Sequence, residues 1–367
     1  MAEIDDLFAR LERFKGSDLH LRPDTPPMIR VHGTLLPMKS EKLSAESVEK
    51  LLMEIVPDEA LEIFKDCGEV DFAHALPGGN RLRGNVFRDR AGVSGVFRLI
   101  PSVPPSSDDV YLSPPILGLC RRSKGLVLIT GPTGAGKSTT MAAMIDQINS
   151  TRKEHILTIE DPLEFLHRNK KCLITQREVR THTRSFSSAL RAALREDPDI
   201  VMVGEMRDLE TTMTAIETAE TGHLVFGTLH TTTASSTVDR MIDQFPADRQ
   251  DQVRTMLSSI LAGVVSQTLL RKKDGMGQVA AREILIMNQA IKTLIREKKT
   301  YQIGSQIETG KETGMILLNE SIQRLVMSDI VSPEEALFKS MDKDDMRRRL
   351  SALRSHRKPP PTEADNG

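Results

Sequence analysis

Tryptophan is absent from this 367-residue chain, tyrosine occurs twice and phenylalanine eleven times. So few rings leave little for a platform that stacks nucleic-acid bases. Charge points the same way, because 50 Lys and Arg oppose 51 Asp and Glu for a formal net charge of -1, which offers a polyanion no global attraction. No nucleic-acid partner is expected. Cysteine is confined to positions 67, 120 and 172, an odd number without C-x-x-C spacing, which supports neither a disulfide framework nor a four-cysteine zinc site. No run approaches eighteen uninterrupted apolar residues, and the acidic start Met1-Ala2-Glu3-Ile4-Asp5-Asp6 lacks the apolar region of a signal peptide. A cytoplasmic location is expected, with any membrane contact made through partners. The cores must be aliphatic, helped by 17 Met, and the length suffices for two of them.

What is present centres on Gly131-Pro132-Thr133-Gly134-Ala135-Gly136-Lys137-Ser138. This stretch fits G-x-x-x-x-G-K-S. It follows the apolar run Leu126-Val127-Leu128-Ile129 and precedes the helix-forming Thr139-Thr140-Met141-Ala142-Ala143, the strand, loop and helix context that the motif requires. The glycines let successive N–H groups and a helix N-terminus converge on phosphate oxygens. In that arrangement residues 131–139 bind ATP, Lys137 reaches the β- and γ-phosphates, and the Ser138 hydroxyl ligates Mg²⁺.

Taken in order, Ile4, Leu7, Phe8, Leu11 and Phe14 mark an amphipathic helix over residues 3–14. Two short strands follow, over 16–21 and 26–35, broken by proline turns; His20 and His32 on them are expected as surface or hydrogen-bonded residues rather than ligands. Helices are predicted from Ser44 to Ile55 and from Pro57 to Lys65, then antiparallel hairpins from Glu69 to Ile100. Five prolines between 101 and 115 mark an extended linker. Beyond it strands at 126–130, 155–160, 200–203 and 223–229 alternate with helices at 137–149, 185–196, 208–220 and 248–262, which implies a parallel sheet covered on both faces. An apolar stretch from 264 to Leu270, a turn at Lys272-Lys273-Asp274-Gly275, a strand over 278–286 and a helical part complete the core. The expected division is residues 1–100, linker 101–115, core 116–345 and a disordered polar tail over 346–367.

Two acidic positions end apolar strands. Glu205 follows Ile200-Val201-Met202-Val203 and could hold Mg²⁺ directly or through water, and Glu160, ending Ile156-Leu157-Thr158-Ile159, could orient or deprotonate the attacking water. Their roles could be exchanged. The alternative, carboxylates capping helices at 162–168 and 206–220, suits Asp161 and Asp208 better than both glutamates at once. His230, at the C-terminal end of its strand, is expected to sense the γ-phosphate, whereas His223 lies at the opposite end. Phosphoryl transfer also calls for positive charge on the equatorial oxygens, and an arginine acting in trans is worth roughly 10³–10⁵ in rate. Arg191, Arg195, Arg207 and Arg240 are available in the core, alongside the arginines of the first sheet.

With these residues in view, the chain resembles the type IV pilus retraction ATPases, the PilT-like branch of the secretion ATPase superfamily. The matching stretches are Gly16-Ser17-Asp18-Leu19-His20-Leu21 with Pro26-Pro27, the phosphate loop, Thr158-Ile159-Glu160-Asp161-Pro162, Leu194 to Asp208 and Thr221 to His230. The resemblance implies an α/β protein: a C-terminal RecA-like phosphate-loop core with a parallel sheet, preceded by a smaller α+β, PAS-like domain. It implies a homohexameric ring with Mg-ATP held between the core and the first domain of the same or an adjacent subunit. Hydrolysis in such a ring works on an inner-membrane platform protein to depolymerise the pilus and drive twitching motility. Arg83, Arg88 and Arg98 become candidate nucleotide-contacting arginines on that basis. Assembly and secretion relatives carry a four-cysteine zinc element in their C-terminal half, and this chain has no cysteine after Cys172. Retraction members carry Ala-Ile-Arg-Asn-Leu in a late helix, where this chain has Ala290-Ile291-Lys292-Thr293-Leu294. The alternatives are an accessory or paralogous pilus or type II secretion ATPase, or an ATP-binding regulatory ring without rapid turnover. The set Lys137, Ser138, Glu160, Glu205 and His230 weighs against the last of these.

Overall fold

The computed structural model describes residues 3–31, 33–77 and 79–356. His32 and the segment 357–367 of the expected tail lie outside the described residues. The chain divides into two compact units, one running to Val103 with Glu164–Leu166 added, the other made of Pro104–Leu163 and the residues from His167 on.

In the first unit α1 (Asp5–Arg13) buries Phe8 and Leu11 and carries acids in its first turn and arginines in its last, matching the helix dipole. It is followed by β1 (Asp18–Leu21), β2 (Met28–Val31) and β3 (Thr34–Pro37). The stretch 26–35, read as one strand, is divided: β2 and β3 form a hairpin, and Gly33 between them has a φ of +83°, which side chains rarely adopt. Next come α2 (Ala45–Met53), capped by the Ser44 hydroxyl, and α3 (Asp58–Cys67), ended by the left-handed Gly68. The strands β4 (Glu69–Ala75), β5 (Arg81–Asp89) and β6 (Gly92–Ile100) complete an antiparallel sheet of order β3-β2-β1-β6-β5-β4. Alternation along β5 buries Leu82, Gly84 and Val86 while Arg83 faces out. Phe97, packed edge to face on Phe8 at 5.1 Å, lies so close to Gly84 that a Cβ there would meet its ring at 2.8 Å.

The second unit comprises α4 (Pro114–Cys120), β7 (Gly125–Thr130), α5 (Lys137–Thr151), β8 (His155–Glu160), β9 (Leu173–Glu178), α6 (Phe186–Ala193), β10 (Ile200–Val203), α7 (Leu209–Glu220), β11 (Leu224–Leu229), α8 (Ala234–Asp243) and α9 (Gln250–Ile260). After these come β12 (Leu261–Arg271), β13 (Gln278–Ile286), α10 (Gln289–Arg296), α11 (Ile303–Thr309), α12 (Leu318–Met327), α13 (Pro333–Lys339) and α14 (Lys343–His356). The sheet order is β13-β12-β7-β11-β10-β8-β9, with β13 antiparallel to β12 and every other pairing parallel. Every residue of β7, β10 and β11 is buried, as in a sheet covered on both faces. A RecA-like parallel core preceded by an α+β unit is the observed architecture.

Three further expectations are corrected. Residues 162–168, read as a helix in the capping alternative, form none, and side chains take backbone groups a helix would use: Gln176 accepts from the His167 N–H at 2.7 Å and the Asn149 amide donates to the Arg168 carbonyl at 2.8 Å. The helix read as 248–262 stops at Ile260, since Leu261 already pairs with Leu126 in the sheet. Residues 346–356, expected in a disordered tail, belong to α14, where Met346 is fully buried with Leu350 and Leu353 packed on the same cluster. Three elements escaped the sequence reading, α4, β9 and α8, and β12 was read only as an apolar stretch.

Candidate active site

The order β7-β11-β10-β8 is what assembles the site. These neighbours run parallel in register, with Thr130 opposite Leu229, Val203 opposite Gly227 and Ile159 opposite Val203, so the residues after their C-terminal ends share one edge of the sheet. The phosphate loop, His230, Glu205 and Glu160 all lie on that edge. Ligands of open α/β sheets bind there.

Gly131, Gly134 and Gly136 have φ of +145°, +76° and +78°, conformations open to glycine and strained for other residues. The Ala135 N–H turns back onto the Pro132 carbonyl at 3.1 Å. Side chains cap α6, α7, α8 and α10 at their N-termini, but α5 starts at Gly136 with no side-chain cap and no acid in its first turn. A helix start of that kind suits a phosphate group. The Lys137 ammonium folds back to donate to the carbonyls of Gly131 at 2.8 Å and Pro132 at 3.2 Å.

Glu205 stands in the loop after β10. Its Oε1 takes hydrogen bonds from Arg207 at 2.5 Å and His230 at 2.6 Å. Burial alone would raise its pKa, but these two bonds and the charge of Arg207 outweigh it, and the carboxyl lies below its ordinary value. Glu160 is more deeply set, 7% exposed, with Oε1 accepting from the Thr158 hydroxyl at 2.7 Å and the Gln176 amide at 3.3 Å. Gly204 leaves room for it, since a Cβ there would stand 3.3 Å from the Glu160 Cα. Asp208 caps α7 by accepting from the Thr211 N–H at 2.8 Å. His223 hydrogen-bonds the Thr218 carbonyl at the far end of β11.

The candidate arginines are dispersed. Arg207 is at the site through Glu205, Arg191 is bound to Glu210, and Arg195 and Arg240 are exposed on the surface of the second unit. In the first unit Arg98 pairs with the buried Asp18 at 2.9 Å, Arg83 lies 3.8 Å from Asp71, and Arg88 sits over the Phe64 ring. The residues missed by the sequence reading lie behind the loop: Gln267 on β12, Arg282 on β13 and Thr140 on α5. A single amide inside the apolar run Leu261–Leu270 was the available signal.

Fold and site together define a phosphate-loop ATPase core of the RecA-like kind. The model of the type II/IV secretion system protein family matches residues 113–355, and the chain belongs to that family. It is 48% identical over 338 residues to the type IV pilus retraction ATPase PilT of Pseudomonas aeruginosa, covering 92% of this chain and 98% of that protein. A twitching motility protein of Neisseria gonorrhoeae is 49% identical over 320 residues, 87% of this chain and 86% of that one. The type IV pilus ATPase PilU of P. aeruginosa is 34% identical over 345 residues, 94% and 90% of the two chains. Among solved structures, the pilus retraction motor PilT with bound ADP superposes with a TM-score of 0.87 at 43% identity, covering 95% of this chain and all of that one. Among the described residues no helix is long and apolar enough to cross a membrane.

Proposed function

We propose that this protein is a Mg-ATP-hydrolysing motor of type IV pilus retraction, working as a homohexamer on an inner-membrane platform protein. The observation that carries the reading is one sheet edge bearing the glycine loop, Lys137, Glu205 and His230, in a chain 48% identical over nearly its full length to a retraction ATPase. Bound Mg-ATP supplies the phosphoanhydride and the metal charge. The residues around it hold and polarise. The loop N–H groups and Lys137 bind the phosphates, Lys137 giving up two carbonyls to do so, and Ser138 with Glu205 holds the metal. Glu160, its carboxylate fixed by Thr158 and Gln176, orients the attacking water and takes its proton. His230 keeps Glu205 aimed and reports whether the γ-phosphate is present. Arg83, Arg88, Arg98, Arg195, Arg207 and Arg240 are the pool from which the charge acting on the γ-phosphate is drawn.

A paralogous motor acting beside a principal one is the second reading, favoured by Lys292 and Thr293 in the late helix α10. The higher identity to PilT than to PilU, 48% against 34%, supports the first. The test is deletion in the source organism with pilus number and surface motility scored. Hyperpiliated, immotile cells are expected; bald cells would overturn retraction in favour of assembly, and unchanged cells would favour the paralogous role.

A further inference from the structure

Behind the phosphate loop the structure holds a charge for which sequence motifs give no account. Arg282 is 8% exposed, and none of its hydrogen bonds among the described residues goes to a carboxylate. Its Nη1 donates to the Tyr111 carbonyl at 3.1 Å, Nη2 to the Val110 carbonyl at 2.9 Å and the Thr140 hydroxyl at 3.3 Å, and Nε to Gln267 Oε1 at 3.4 Å. Burial pulls the guanidinium down to about 10, still far enough above neutrality to keep it charged. A buried cation of this kind is costly and calls for a reason.

The reason lies one bond further on. Gln267 Oε1 also accepts from the Thr140 hydroxyl at 2.9 Å, so two donors fix which end of the amide is oxygen. The Nε2 end must then face the loop, where it donates to the Ala135 carbonyl at 2.6 Å. The Gln267 backbone carbonyl presses on the same loop from its other end, where a Cβ on Gly131 would collide with it. We infer that Arg282 is a positioning residue for nucleotide binding: through Gln267 it locks the phosphate loop at Ala135, turning that carbonyl away and leaving the loop N–H groups for phosphate. The same guanidinium grips Tyr111, a non-glycine residue at φ +51° in the segment by which the chain enters the second unit. The loop is thereby tied to the opening segment of the second unit.

This inference rests on the ATPase reading, so wild-type protein is assayed alongside the variants with ATP and magnesium, and with a fluorescent ADP analogue. Gln267→Glu is the discriminating variant. It gives Arg282 the carboxylate it lacks, which preserves the fold, but sets an acceptor against the Ala135 carbonyl. We expect its melting temperature to hold while the nucleotide Kd and the KM for ATP rise about tenfold or more, with kcat changed less. Arg282→Met should raise Kd similarly, Arg282→Lys should recover part of the loss, and Arg282→Met added to Gln267→Ala should bring no further increase. Wild-type Kd and KM in both Gln267→Glu and Arg282→Lys, or full additivity in the double variant, would overturn the inference and leave the ATPase reading standing. Wild-type protein that neither binds nor splits nucleotide would overturn that reading instead.

Discussion

In front of the phosphate loop Glu205 is held by Arg207 and His230, whose side chains are 73% and 48% exposed; behind it Gln267, Thr140 and Arg282 are 2%, 2% and 8% exposed. The bonds in front are short and charged, but their cationic partners are open to water, where an ion pair is worth about 0–1 kcal/mol and is readily exchanged for another partner. The bonds behind join buried groups, and losing one leaves a polar atom unsatisfied at a cost of about 1–3 kcal/mol. On the proposed reading, groups that change partner during a catalytic cycle are kept where change is cheap, and those that give the loop its shape are kept where it is expensive.

The contrast can be broken most forcefully at Lys137. Lys137→Ala should lower ATP turnover by at least about 10²–10³-fold with a smaller effect on melting temperature, because it removes the charge facing the phosphates, while its bonds to the Gly131 and Pro132 carbonyls lie in the loop itself. Wild-type turnover would refute the site. Glu205→Gln should cost about 10²-fold in kcat, again with stability kept, since its partners are open to solvent. A large drop in melting temperature there would erase the distinction between front and back.

Behind the loop the balance should invert. Gly131→Ala puts a methyl against the Gln267 carbonyl at a φ of +145°, so stability should fall by about 1–3 kcal/mol together with nucleotide affinity, read by denaturant unfolding and ligand titration. The smallest effect concerns acid. His167, with Nδ1 buried and unpartnered among the described residues, is pulled from 6.5 to about 4 by burial, an effect that Asp146 opposes and Lys170 reinforces. Its folded-state pKa is depressed, so the unfolded chain takes up the proton first. Stability is complete above pH 6.5 and declines as the pH falls towards 4, by about 3 kcal/mol in all. His167→Leu should flatten that slope between about pH 6.5 and 5, above the range in which Glu205 loses its own contribution; equal slopes in wild type and His167→Leu would assign the acid loss to other groups.

Much of the site is legible in the sequence because its parts are local. The glycine loop needs its strand and helix within a few residues on either side, and Glu205 sits one residue, Gly204, past four apolar residues that read as a buried strand. The stretch 162–168 misled because the side chains that replace its helical hydrogen bonds, Asn149 and Gln176, come from elsewhere in the chain. The residues 346–356 misled because they are so polar that only Met346, Leu350 and Leu353, packing on their cluster, reveal a buried face.

The sequence by itself determined the phosphate loop, the alternation of strand and helix that makes a parallel core, and the carboxylates at two strand ends, since each depends on spacing within a short segment. Only the tertiary structure decided that Gln267 and Arg282 stand behind Ala135 and Gly131. Strand pairing across more than a hundred intervening residues brings them there, and no local pattern encodes which buried strands become neighbours.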